Sequence, residues 1–193
     1  MATGIGDPAQ GTVKAVTPSS FRPIDWVGNK VRLIDQTRLP LEERWLDLSD
    51  YRDVVSAIRE MRIRGAPAIG VAGAYAVALA ALEIAREHHR DFMSALEKAT
   101  QEIARARPTG ANLEWAVQRM LGVAESAPTI EDAVTNLTAE AIRIHEEDQE
   151  ANLKMGDYGA ELIPKGSAVL THCNTGALAT GGYGTALGVI RTA

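Results

Sequence analysis

The stretch IRGAPAIGVAGAYAVALAALEIARE (residues 63–87) decides how the rest of the chain is read. Gly65 and Pro67 break the chain, and residues 68–87 then read as one helix. Residues 68–82 are fifteen in a row without a charge. Such a helix is apolar nearly all round, so it is expected to be the buried centre of a domain. The run is too short and too rich in Ala and Gly to span a bilayer, which takes about 20 predominantly apolar residues.

Elements that can surround this helix lie on both sides of it. Upstream, residues 24–33 alternate in short runs around Gly28-Asn29 and read as a β-hairpin. WLDL (residues 45–48) is a further short strand. Ser49 or Asp50 then caps a helix over residues 51–61, with Val54, Val55, Ile58 and Met61 on one face. Downstream, residues 92–106, 112–124 and 130–162 read as three more helices. Residues 1–20 are small, polar and without an apolar core, and read as a flexible tail with no signal peptide. Residues 21–163 thus form one domain, a small β-sheet with helices.

The character changes at Pro164-Lys165-Gly166. SAVLT (residues 167–171) is a continuous apolar run of strand length, and the Gly/Ala-rich segment behind it reads as a helix to residue 193. That is the opening βα unit of a parallel sheet, so the overall class is α/β and residues 164–193 are expected to begin a second, Rossmann-like domain. One parallel strand with one helix cannot bury itself, and the chain ends where the rest of that domain is expected.

Composition narrows the partners. With 46% hydrophobic and 23% charged residues of both signs, the chain is expected to bury a sizeable core. A net charge of −5 argues against nucleic acid or an anionic membrane as partner. A phosphorylated small molecule can still bind, given a local cluster of Arg, Lys and backbone N–H groups. The single cysteine, Cys173, cannot form an internal disulfide, which fits a reducing, cytoplasmic setting.

Cys173 lies just past the end of the expected SAVLT strand, and the carboxyl ends of strands are where open α/β sheets bind ligands. A buried structural thiol is the other reading. Neighbouring strand residues face opposite ways, so His172 and Cys173 are not expected to act together. Arg64-Gly65-Ala66-Pro67 opens the central helix, where free N–H groups and a forked cation can hold an anion. The same residues also serve as a plain turn. Arg107-Pro108-Thr109 precedes another helix and by itself reads as solvated. Gly176, Gly181, Gly182, Gly184 and Gly188 match no nucleotide loop well, and close packing explains them equally. His88-His89 and His145-Glu146-Glu147-Asp148 read as solvated helix faces rather than metal ligands.

Three segments together resemble one family: IRGAPAIGVAGAYAVALAA (63–81), RPTGANLEWA (107–116) and LTHCNTGALATGGYGTALGVIR (170–191). They resemble the methylthioribose-1-phosphate isomerases of methionine salvage, which are relatives of the regulatory subunits of eukaryotic initiation factor 2B. The resemblance runs over residues 21–193, in family order and spacing. Where many members read RPTAVNLFWA, this chain has Gly110, Ala111 and Glu114. The resemblance implies an aldose–ketose isomerisation of 5-methylthioribose 1-phosphate in a cleft between the two domains, in a cytoplasmic homodimer without cofactor or metal. It implies Cys173 as a catalytic residue and Arg64, Gly65, Ala66 and Arg107 as substrate-binding, chiefly toward phosphate. A catalytic aspartate is implied beyond residue 193. A ribose-1,5-bisphosphate isomerase and a non-catalytic regulatory subunit are the two rival expectations.

Overall fold

The computed structural model describes residues 21–87, 91–108 and 110–193. The tail over residues 1–20, the His88-His89 pair and Thr109 lie outside them. Three antiparallel strands open the chain: β1 (Ile24–Trp26), β2 (Val31–Ile34) and β3 (Trp45–Leu48), in the order β1-β2-β3. Gly28 and Asn29 both take positive φ, at 56° and 60°, and Val27 and Lys30 exchange backbone hydrogen bonds across them. This tight turn suits the right-handed twist of the two strands and sets the register Ile24↔Leu33 and Trp26↔Val31. Alternation along β2 turns Val31 and Leu33 into the core and Arg32 outward, where it forms a two-point ion pair with Asp47 of β3.

Helix α1 (Tyr51–Arg59) begins at Asp50, whose carboxylate accepts the N–H of Arg52 at 2.8 Å, so Asp50 rather than Ser49 is the cap. It stops two residues short of the expected end because Met61 adopts φ 60°. The N–H groups of Met61 and Arg62 reach back to the carbonyls of Ile58 and Ala57, closing the helix and turning the chain toward Arg64.

Helix α2 (Ala66–Glu87) is the centre of the fold, buried on every side from Ala68 to Ala81. It touches α1, α3 (Phe92–Ala104), α4 (Ala111–Glu125) and α5 (Ile130–Ala160). Gly70 lies against Asn112 and Gly73 against Leu113, so α4 approaches at a distance that larger residues would forbid. Among the described residues α2 is the helix long and apolar enough to cross a membrane, but 83% of that window is buried inside the protein. It is a core helix, as its length and Ala/Gly content imply.

The segment after Pro164 differs from the sequence expectation. Residues 167–171 form no strand; Leu170 is 96% exposed and Val169 49%. A parallel strand is satisfied only by a neighbouring strand, and no strand among the described residues lies beside it. The expected continuous helix is also divided. A loop with one 3₁₀ turn (Ala177–Ala179) comes first, and α6 (Ala186–Thr192) follows. Helix α6 folds back on α5, with Val189 and Thr192 seated against Gly159 and Gly156.

These environments separate two leucines. Leu137 is fully buried on α5, so Leu137→Ala should lower unfolding free energy by about 2–5 kcal/mol. Leu170→Ser should change the stability of this chain by less than about 0.5 kcal/mol. Urea unfolding followed by circular dichroism measures both.

Candidate active site

Three backbone features converge where α2 begins. Gly65 precedes the helix with φ 99°, a conformation open to glycine and costly for other residues, and its carbonyl accepts the first helical bond from Ile69. Glycine is required for a second reason: a Cβ there would collide with the backbone of Ala179. Arg107 lies in the turn before α4, and its carbonyl accepts the N–H of Gly110 at 3.0 Å. Gly110 is the N-cap of α4 and offers no side-chain cap; its carbonyl takes the Leu113 N–H at 3.0 Å, which leaves the N–H groups of Ala111 and Asn112 uncapped. The third feature is Cys173, a free, exposed thiol held at φ 71°. Non-glycine residues seldom occupy that region, and those that do cluster at functional sites.

Arg64, Gly65, Ala66, Arg107 and Cys173 line one cavity of about 460 Å³, together with Ile69, Gly110 and Asn174. All five residues singled out from the sequence therefore share a single space. Arg64 and Arg107 form no ion pair among the described residues, so both guanidinium groups are available to an anion. Two unpaired cations beside the amino ends of two helices favour a phosphate-sized dianion even on an acidic chain. Cys173 adds a proton-carrying group to the lining of the same cavity. His172 is exposed and does not line the cavity. A second cleft of about 490 Å³ shares Arg107 and Gly110 but runs between α3 and α4 past Glu97 and Glu114, whose carboxylates oppose an anion.

One face of α5 corrects the sequence reading. His145 is buried, not solvated, and Asp148 is half-buried. The hydroxyl of Tyr75 donates to His145 Nδ1 at 2.7 Å, and His145 Nε2 donates to the carbonyl of Gly181 at 2.6 Å. Gln149 donates to the same carbonyl at 2.7 Å, and Asp148 accepts the Gly181 N–H at 2.6 Å. The spacing of His145, Asp148 and Gln149 (i, i+3, i+4) places them on one helix face, but nothing local says that this face meets a loop. Burial pushes His145 below its ordinary 6.5, against the opposing pull of the Gly181 carbonyl. Burial likewise raises Asp148, opposed by the Gly181 N–H, by His145 and by Asn152.

The comparisons with known proteins follow this geometry. Residues 62–193 match the initiation factor 2 subunit family. The chain belongs to that family. A methylthioribose-1-phosphate isomerase of Alkalilimnicola ehrlichii is 52% identical over 90% of this chain and 50% of its own length. One from Geobacter metallireducens is 53% identical over 90% and 51%. Among solved structures, a 5-methylthioribose 1-phosphate isomerase from Pyrococcus horikoshii OT3 superposes with a TM-score of 0.84 and 38% identity, over 91% of this chain and 51% of that one. The translation initiation factor eIF-2B, subunit delta, from A. fulgidus gives 0.81 and 42%, over 90% and 51%. The chain spans about half the length of the curated relatives it matches.

Two outcomes follow from this geometry. Gly65→Ala meets both a left-handed φ and the backbone of Ala179, and should cost about 1–3 kcal/mol or more in urea unfolding. His145 is held below its unfolded value, so the folded state favours the neutral ring. Stability should therefore be full above about 6.5 and fall as pH drops below it. His145→Gln should flatten that part of the thermal-midpoint profile.

Proposed function

We propose that this chain supplies the thiol and the phosphate-binding half of a 5-methylthioribose-1-phosphate isomerase active site. The observation that carries the reading is Cys173 at φ 71° on the same cavity as the unpaired Arg64 and Arg107. The isomerase names of relatives about half identical to this chain support it. So does the cysteine itself, because a ligand-sensing subunit has no use for a proton-carrying group beside its anion site.

The chemistry sets what the site must do. Phosphate blocks the anomeric oxygen of an aldose 1-phosphate, so the bond from C1 to the ring oxygen has to break while that oxygen gains a proton. A hydrogen then moves from C2 to C1, and the C2 hydroxyl loses its proton as it becomes the carbonyl. Arg64, Arg107 and the N–H groups around Gly65 and Ala66 hold the phosphate and so fix the sugar. The thiol of Cys173 shares the proton transfers with a carboxylate outside this chain. We assign residues 21–163 to the substrate-holding domain and residues 164–193 to the opening of a Rossmann-like domain that covers the cleft. In this reading the working enzyme is a cytoplasmic homodimer of the longer protein, and residues 1–193 alone do not turn over substrate.

The test is an assay of 5-methylthioribose 1-phosphate turnover by residues 1–193, with and without the C-terminal half of a homologous isomerase. Activity from the chain alone would overturn the division of labour. In the completed enzyme Cys173→Ser should lower kcat by about 10²–10⁴-fold. Arg64→Ala and Arg107→Ala should each weaken binding of the phosphorylated sugar by about 1.5–3 kcal/mol and leave that of a dephosphorylated analogue unchanged. Retained turnover in Cys173→Ser would return the thiol to a structural role.

A further inference from the structure

The loop that links Cys173 to α6 has almost no regular secondary structure, yet it is held at both ends. Gly176 and Gly184 pair as an isolated antiparallel bridge. Thr180 Oγ1 accepts the N–H groups of Gly182 and Gly184 at 3.2 and 3.0 Å. On one side Gly181 is gripped through both its backbone groups by His145, Asp148 and Gln149. The grip admits no side chain, since a Cβ on Gly181 would stand 2.6 Å from His145 Cδ2 and 2.9 Å from Asp148 Oδ2. On the other side Gln36 Nε2 donates to the Leu178 carbonyl at 2.7 Å, and Ala179 rests directly on Gly65. The loop thus bridges α5 and the turn that opens the anion site, and Cys173 lies three residues before its closing bridge.

We propose that His145, oriented by Tyr75 and flanked by Asp148 and Gln149, is a positioning residue that clamps Gly181 and thereby sets Cys173 in register with the Arg64-Gly65-Ala66 turn. The importance of that register rests on the isomerase reading, but the clamp itself does not. His145 is suited to the role because its ring bridges two elements: Nδ1 takes the Tyr75 hydroxyl of α2, and Nε2 holds the loop. Both bonds lie in the interior, where a lost partner leaves a polar group unsatisfied. Tyr75 is itself stacked edge-on to the imidazole at 5.8 Å and lies 5.5 Å from the Trp26 ring, so its hydroxyl is aimed by packing.

Amide hydrogen exchange in the 193-residue chain, without substrate, tests this directly. The amide nitrogen of glutamine reaches about where histidine Nε2 lies, and that of asparagine about where Nδ1 lies. His145→Gln should therefore keep peptides covering residues 170–185 within about twofold of wild type. His145→Asn should speed their exchange by about tenfold or more, the scale of one buried hydrogen bond left open. Peptides covering residues 63–69 should follow the loop, through the Ala179–Gly65 contact. Gln149→Ala, a half-buried position, should move the same two groups of peptides in the same direction and by less. Equal exchange in the Gln and Asn variants would mean that the ring only fills space, and the proposal falls. Faster exchange in the loop with residues 63–69 unchanged would also overturn it, because the clamp would then not set the register. Turnover in the completed enzyme is a separate measurement, so failure of the isomerase reading is told apart from failure of the clamp.

Discussion

The burial of α2 on every side is the constraint to which the remaining elements answer. A helix without a polar face has to be enclosed, and here the sheet, α1, α3, α4 and α5 enclose it. Its small residues decide how closely they come. With glycine at 70 and 73, α4 lies near enough for Asn112 and Leu113 to touch the α2 backbone. That close crossing brings the starts of α2 and α4 together, and with them Arg64 and Arg107. The cavity they line is in this sense a by-product of packing: two helices whose bodies must interlock present their amino ends to the same space.

The thiol arrives by a different route. Residues 167–185 follow a long helix and form no ladder; residues 167–174 are largely exposed, and the backbone groups of residues 175–185 bond to side chains and to one another. Glycines at 182 and 184 supply the positive φ values that this path requires, while Cys173 takes one without being glycine. A conformation of that kind costs of order 1–3 kcal/mol and persists only where surrounding contacts dictate it. The loop that follows Cys173 is held by the Gly176–Gly184 bridge, by the side chains around Gly181 and by the seat of Ala179 on Gly65.

Electrostatics at the site are local rather than global. The chain carries a net charge of −5, and several arginines elsewhere are paired with carboxylates: Arg32 with Asp47, Arg52 with Asp50 and Glu83, Arg119 with Glu140 and Glu147. Arg64 and Arg107 have no carboxylate partner among the described residues, and they line one cavity together. The apolar side chains of Val169 and Leu170 lie exposed beyond the end of α5, a few residues before Cys173. This is the region that the Rossmann-like reading assigns to the second domain.

Much of this was written in the sequence because local patterns suffice for it. The hairpin at Gly28-Asn29, the helices over 51–61, 68–87, 92–106, 112–124 and 130–162, and the burial of the central one follow from periodicity and turn chemistry, with ends displaced by at most two residues. Arg64, Gly65, Ala66, Arg107 and Cys173 stood out as site residues only through the family resemblance, and the structure brings them to one cavity. Tertiary structure alone decided three things. Residues 167–171 have the composition of a strand, but a strand exists only when another chain segment accepts its hydrogen bonds, and composition cannot supply that neighbour. His145 sits among charged residues that read as a solvated face, yet the loop 36 positions later in sequence folds over it and makes it a buried donor. And the single cavity shared by residues 64, 107 and 173 depends on how closely α2 and α4 pack and on where Ala179 comes to rest. Those are long-range distances, set only when the core closes.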